Sequence, residues 1–329
     1  MVVATSEWVT HPWVDVGGRR PRFGIHGGAS ADWPRLVDFV GRSESLGFDA
    51  YWMHDHPARN PGCWTTLAGL AAVTRTIRLG TLVNCVLYRS AVEVARQAAD
   101  VDRMSDGRAI LGLGAGDHEE ECRQLGITMP PARERVRLLG EMVQSVKSLW
   151  GEPNSARSQA LSPGPVQSPR IPILIAGVGR NTLRHVADYG DAVSIPPTLS
   201  AGEALRGVPV GPITATDVEQ KLAILDTFCD EVFRARGSLV RSHMAPIVLA
   251  ETPDRLADKL SALPEHRRIH LQVAITGTPE QVVPAYESLL IRGVDYFIAG
   301  VLGDDTETLD LLADRVRPAL EQRAAAIAG

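Results

Sequence analysis

The chain has 329 residues, 44% of them hydrophobic and 22% charged, and a formal net charge of −5. This is the composition of an ordinary globular protein, and the acidic balance gives no electrostatic reason to expect nucleic acid or an anionic membrane as a partner. Cys63, Cys85, Cys122 and Cys229 lie far apart without CxxC or other metal-type spacing, which reads as reduced thiols in a cytoplasmic protein with no metal centre.

Residues 1–20 read as an N-terminal extension that lacks the basic start and apolar run of a signal peptide. Short apolar segments then alternate with longer amphipathic ones, the rhythm of βα units. Arg22–His26 reads as the first strand, ending in Gly27-Gly28. Trp33–Leu46 follows as a helix, with Asp32 as N-cap, Pro34 in the first turn and Gly47 as the stop. Asp49–Met53 is the second strand, Trp64–Thr74 a helix, Ile77–Val83 the third strand, Ala91–Met104 a helix and Ala109–Gly114 the fourth strand. Glu134–Trp150 is a long amphipathic helix. The Ser-, Pro- and Gly-rich stretch Gly151–Pro169 reads as a variable, mobile loop. Ile171–Ala176, Asn181–Tyr189 and Asp191–Ile195 continue as strand, helix, strand. A helix near Asp217–Arg236 and a strand near Ser242–Ala250 come next, then a less regular part from Glu251 to Ile275. Pro279–Arg292, Tyr296–Ala299 and Thr306–Arg323 close the pattern as helix, strand, helix.

Eight strands alternating with helices specify a single (β/α)8 TIM barrel over residues 21–329, a fold that reaches this length as one domain. The competitor is an open doubly wound sheet with a dinucleotide fingerprint. Gly112, Gly114 and Gly116 do follow a strand, but GxGxxG requires a third glycine where Asp117 stands.

In such a barrel the active site lies on the loops after the C-terminal strand ends. Those loops carry His26; His54, Asp55 and His56; Asn84; Asp117, His118 and Glu119–Glu121; and Gly177–Arg180. His26, His118 and Glu120 are candidates for lining a substrate pocket. For each, an ordinary structural role stays open: the acidic run sits at a helix start where the dipole alone explains it, and Asp117 can serve as that helix's N-cap. Gly177, Val178, Gly179 and Arg180 suit an anion. Small residues let the backbone approach a phosphate, the following helix points its first N–H groups there, and Arg180 can add a charged hydrogen bond.

Several of these segments resemble one family. Trp52-Met53-His54-Asp55-His56 is similar to the Ser-Asp-His turn of the deazaflavin-using branch of the bacterial-luciferase-like oxidoreductases. The run from Gly112 to Gly126 looks like that branch's LGLGAG-x-x-EEE-x-R-x-x-G. Arg133 to Trp150, Ile173–Gly179 (ILIAGVG) and Gly277 to Val282 match in the same order. The resemblance implies a (β/α)8 barrel that binds coenzyme F420, or alternatively FMN, and transfers hydride or oxygen to a small organic substrate. It places Asp55 and His56 beside the cofactor ring, with His56 as proton donor or acceptor. It puts Asp117 where the sugar-phosphate dehydrogenases of the family carry a catalytic glutamate. Leu82-Val83 falls where the family has a non-proline cis peptide behind the ring, which brings Leu82, Val83 and Asn84 to the cofactor. Gly177–Arg180 matches the phosphate loop. A homodimer is also implied and, for the FMN monooxygenase alternative, a reductase that supplies reduced cofactor.

The departures are specific. Tyr88-Arg89-Ser90-Ala91 replaces the usual Arg-His-Pro, Asp117-His118 stands where an aromatic residue is common, and Gly151–Pro169 is unlike the usual substrate-side insertion. They leave the substrate open, and they leave room for a barrel that binds a cofactor without chemistry.

Overall fold

The computed structural model describes residues 8–15, 20–28, 32–151, 161–198, 212–303 and 305–328. Its strands are β1 (Arg22–His26), β2 (Ala50–Met53), β3 (Arg78–Thr81), β4 (Asn84–Cys85), β5 (Ala109–Gly114), β6 (Ile173–Ala176), β7 (Ala192–Ile195), β8 (Val240–Leu249), β9 (Ile275–Gly277) and β10 (Tyr296–Val301). Pairing runs in parallel through β10-β1-β2-β3-β5-β6-β7-β8, and β10 also pairs with β8, which closes the barrel. β4 and β9 are short additions at the C-terminal rim, paired to β5 and β8. Helices α1 (Trp33–Ser45), α2 (Cys63–Val73), α3 (Ala91–Met104), α4 (Glu119–Gln124), α5 (Ala132–Leu149) and α6 (Arg180–Tyr189) lie between the strands, followed by further helices at Ala215–Glu231, Pro253–Ala262, Pro279–Ile291 and 306–328.

Successive side chains of a strand point to opposite faces, and here the two faces fill two cores. Phe23, Ile25, Tyr51, Met53, Leu111, Leu113, Val193 and Phe297 pack with the buried helix faces. Ala50, Trp52, Ile110, Leu174, Ala192, Val240, Tyr296 and Ile298 fill the lumen. Trp52 dominates that inner layer because its neighbours are glycines: a Cβ at Gly24 would lie 2.3 Å from the Trp52 Nε1, and one at Gly80 2.5 Å from its ring carbons.

Part of the 1–20 extension packs into the same layer. Trp13 is 1% exposed and sits in the N-terminal mouth of the barrel with its ring edge-on to Tyr296 at 5.8 Å. Trp13 Nε1 donates to Asp49 Oδ2 at 3.1 Å, and the Arg22 guanidinium lies 5.5 Å above the indole.

The stretch Gly151–Pro169 needs a correction. Residues 152–160 lie outside the described residues. The rest is tied down: the N–H groups of Val166 and Gln167 donate to Asp102 Oδ2, and the Gln167 side chain bonds both Asp102 and the Ala109 carbonyl. Because the described residues 161–169 lead into β6, they lie at the N-terminal ends of the strands, on the face opposite the active-site loops.

The less regular part contains the helix Pro253–Ala262, which buries none of its residues. Its Leu256 and Leu260 lie one turn apart and are only half-buried, a stripe too short for periodicity to announce. Among the described residues no helix is long and apolar enough to cross a membrane.

Candidate active site

The wall of the site is built where β3 meets β5. Thr81 Oγ1 accepts from the Gly112 N–H at 2.9 Å and donates to the Gly112 carbonyl at 2.8 Å. Beyond it the Leu82–Val83 peptide is cis. A Cβ at Gly112 would stand 1.9 Å from the Thr81 carbonyl oxygen, and one at Gly114 2.4 Å from a Val83 methyl. The glycines of the Gly112–Gly116 run therefore admit the Leu82–Val83 bulge at close range. Asn84 is fully buried behind it, its Oδ1 accepting from Trp64 Nε1 at 2.9 Å.

Four histidines form a row across the C-terminal mouth. The His26 and His54 rings are 3.6 Å apart between centroids, His54 and His56 5.5 Å, and His56 and His118 5.7 Å. His26 Nδ1 donates to the Trp52 carbonyl at 3.0 Å and His54 Nδ1 to the Leu82 carbonyl at 3.3 Å. A carbonyl can only accept, so in both neutral rings the proton is on Nδ1 and Nε2 is bare. Burial pushes His26 down to about 4 and holds His54 well below the ordinary imidazole range.

His56 is anchored by Glu121. The carboxylate is fully buried and takes the His56 Nδ1–H at 2.6 Å, the Ala58 N–H at 3.2 Å and the Tyr88 hydroxyl at 3.2 Å. Burial alone would raise this carboxyl; the hydrogen bonds and charge of His56, then the Ala58 and Tyr88 bonds, outweigh it and lower it below the usual range. Asp55 is 3% exposed and paired in bidentate fashion with Arg89, whose Nη2 donates to Asp55 Oδ1 at 2.9 Å. The loop after β2 is thus fixed by two charged clamps, and among the described residues the His56 Nε2 edge has no partner.

Other candidates are placed differently. Asp117 is exposed and makes no side-chain hydrogen bond among the described residues. The N-cap of α4 is His118, which also gives no side-chain cap. Glu120 is exposed and paired with Arg123, whose hydrogen bonds bring it down to about 2. His118 is buried beside His56. At the far rim, Gly177 has φ 137° and its N–H donates to the Ser194 carbonyl at 3.0 Å. Gly179 starts α6 with no side-chain cap, so the first-turn N–H groups remain available to an anion. Val178 packs against the outer core, and the exposed Arg180 guanidinium rests 4.7 Å from the centre of the Phe228 ring. All four cysteines are buried and free, and no cluster of three metal-type side chains occurs among the described residues.

Sequence reasoning passed over Glu121, Arg89 and Tyr88. Within three consecutive glutamates the phase is set by Cys122, which is buried next to Glu121. Glu121 also lies three residues after His118, on the same helix face. Arg89 stood out only as a departure from Arg-His-Pro.

The buried neutral histidines have a stability consequence. His26 and His243, whose Nδ1 donates to the Ile195 carbonyl at 3.1 Å, are both pushed down to about 4 by burial. A lowered folded value contributes stability that is fully present above about 6.5 and is lost as pH falls toward 4, at roughly 3 kcal/mol for each ring. Urea unfolding at pH 7 and pH 4.5 should show this loss. His26→Asn, which can still donate to the Trp52 carbonyl, should reduce the pH dependence by the share of one ring, about 3 kcal/mol.

The comparisons with known proteins agree with this architecture. A profile of the family described as luciferase-like monooxygenase matches residues 20–263. The F420-dependent glucose-6-phosphate dehydrogenase of Kineococcus radiotolerans is 27% identical over 327 residues, covering 89% of this chain and 94% of that one. An F420-dependent secondary alcohol dehydrogenase, solved with an F420-acetone adduct, superimposes with a TM-score of 0.74 at 15% identity over 92% of this chain and 99% of its own. The monooxygenase RslO1 of Streptomyces bottropensis gives 0.71 at 21% identity over 91% and 99%. The closed parallel barrel, the row of side chains at its C-terminal mouth and the profile match over most of the length lead to one conclusion: the chain belongs to the luciferase-like monooxygenase family of oxidoreductases.

Proposed function

We propose that the protein transfers a hydride between coenzyme F420 and a small organic substrate, and that His56 moves the accompanying proton. The observation that carries the reading is the 2.6 Å bond from His56 Nδ1 to buried Glu121, which orients the ring and leaves Nε2 free at the barrel mouth. The named cofactor of the full-length relative from Kineococcus supports F420 over FMN.

The residues present suit such a group. The Leu82–Val83 bulge against Gly112 and Gly114 offers a firm, apolar back to a planar ring. The uncapped first turn of α6 behind Gly177–Gly179, with Arg180, suits its phosphate. When bound, the deazaflavin supplies or accepts the hydride. The neutral His56 ring, with Nδ1–H held by Glu121, presents the Nε2 lone pair to a substrate hydroxyl and takes its proton as the carbon is oxidised. In the opposite direction Nε2–H gives a proton to the carbonyl oxygen that becomes the hydroxyl. Glu121 stabilises the imidazolium in either direction through a charge-assisted bond from a fully buried carboxylate. The Asp55–Arg89 pair holds the turn and takes no proton in this scheme.

Titrating apoprotein with oxidised F420 and, separately, FMN, and following fluorescence quenching, tests the reading. Saturable micromolar binding of F420 is expected. Saturable binding of FMN alone, with oxygen consumption when a flavin reductase is added, would establish the monooxygenase alternative instead.

A further inference from the structure

We propose that Tyr88 is a positioning residue of the proton-transfer pair: its hydroxyl shares the Glu121 oxygen that holds His56, and so sets how tightly the pair keeps a proton. The inference rests on the reading of His56 given above.

The contact comes from one turn. Leu87–Ser90 follows β4 and is pinned at both ends: the Tyr88 N–H donates to the Cys85 carbonyl at 3.2 Å, and Ser90 caps α3 through a reciprocal pair with Glu93. Between these fixed points the turn sends out two side chains. Arg89 grips Asp55 and Tyr88 reaches Glu121, so one short segment ties the loop after β2 to the start of α4. Both residues stand where the sequence departs from Arg-His-Pro, which makes the device this chain's own.

Tyr88 and His56 meet on the same atom. Glu121 Oε1 takes the Ala58 N–H, whereas Oε2 takes the His56 Nδ1–H at 2.6 Å and the Tyr88 hydroxyl at 3.2 Å. Two donors on one oxygen compete for its electron density. What the phenol draws off is withheld from the imidazolium, so the hydroxyl lowers the proton affinity of the pair. His56 and Glu121 are joined by a short bond and titrate as a unit. The phenol stays a donor throughout, because burial, then Cys85 and Glu121, push its own ionisation upward.

The other groups around the pair do not take this part. His26, His54 and His118, the rest of the row, are lowered by burial and stay neutral. Asp55 is engaged by Arg89 and Glu120 by Arg123. Cys85 and Cys122, near the phenol, are kept as thiols by burial. Arg59 and Asp117 act on His118 in opposite senses, and Arg135 donates to the Gly116 and Pro130 carbonyls.

The test follows the His56 ring by NMR in the full chain carrying ¹³C-labelled histidine, with F420 or FMN bound, whichever binds, and without it. His56→Gln assigns the resonance. Tyr88→Phe keeps the aromatic ring and removes the donor. The midpoint of the His56 titration should then rise by about half a unit, a fraction of what a full hydrogen bond to the charged form contributes. Placing 3-fluorotyrosine at position 88, a stronger donor, should move the midpoint down. In the direction that oxidises an alcohol only the neutral ring accepts a proton, so kcat/KM of Tyr88→Phe should fall about threefold below the midpoint and change little above it. A purely structural role predicts lower stability in urea with the midpoint fixed. The proposal is overturned if the midpoint stays within about 0.1 unit of wild type in either folded variant, or if both substitutions move it the same way. Should Tyr88→Phe fail to fold, the fluorotyrosine variant decides alone. Failure of the hydride-transfer reading shows elsewhere, as absent F420 binding or full activity in His56→Ala, and leaves the titration independently readable.

Discussion

Replacing His56 by alanine should lower kcat/KM by about 10²–10⁴-fold, the range that a positioned acid–base group contributes, while cofactor affinity stays within about twofold of wild type. The His56 side chain is 28% exposed, so its removal opens no sealed cavity. The carboxylate it leaves is fully buried but keeps the Ala58 N–H and the Tyr88 hydroxyl. One lost partner on a buried charge costs about 1–3 kcal/mol of stability, a deficit that a folded barrel absorbs and that urea unfolding would record. Added imidazole should restore part of the activity, because the missing element is a proton carrier in a space of its own shape. Glu121→Gln is the control. Its amide oxygen can still accept from His56 Nδ1, but it cannot balance the imidazolium, so an intermediate loss of kcat is expected. Wild-type turnover in His56→Ala would take the residue out of the chemistry altogether.

Much of this site was legible before any coordinates. The strand rhythm placed His26, His54, His56 and His118 at the C-terminal rim, and all four stand in one row there. The Gly112–Gly116 run looked like a failed nucleotide fingerprint. Its physical purpose is the approach of Thr81 and Val83, which a linear pattern cannot show because those residues are some thirty positions away. Resemblance supplied the position of the Leu82–Val83 cis bond. What stayed hidden depended on which partner a charge finds. Glu120 and Glu121 are adjacent and chemically alike, yet one pairs with Arg123 in solvent and the other is sealed against His56. Arg89 reads as an odd residue in sequence and becomes intelligible once Asp55 is seen beside it. Both are contacts between separate βα units, and no local periodicity encodes them.

The N-terminal segment shows the same limit and carries the largest expected effect on stability. Trp13→Ala should destabilise the fold by about 3–5 kcal/mol, the usual cost of emptying a fully buried aromatic site. The indole lies 6.5 Å from Trp52 and 5.8 Å from Tyr296, with Arg22 above it. It thereby seals the end of a lumen whose other large occupants are Trp52 and Tyr296. Collapse into the vacated space is opposed on every side, because the strands are pinned by the closed ladder and Asp49 remains tied to Arg22 at 3.6 Å. Other bonds that hold the described part of the segment include the Trp13 N–H to His11 Nδ1 at 3.0 Å, His11 Nε2 to the Arg170 carbonyl at 2.9 Å, Arg22 to the Trp13 carbonyl at 2.9 Å and Trp8 Nε1 to the Val232 carbonyl at 3.0 Å. Trp13→Phe keeps most of the packing and loses only the bond to Asp49, for an expected cost of about 1 kcal/mol. Urea unfolding of the two variants separates packing from hydrogen bonding. The effect should reach the active site weakly. Trp52, whose carbonyl holds His26, stays wedged between Gly24 and Gly80 whatever lies beneath it. Trp13→Ala should therefore lose stability with kcat nearly unchanged at low temperature, the reverse of His56→Ala. A large fall in kcat in the folded Trp13 variant would mean that the plug positions the histidine row through Trp52.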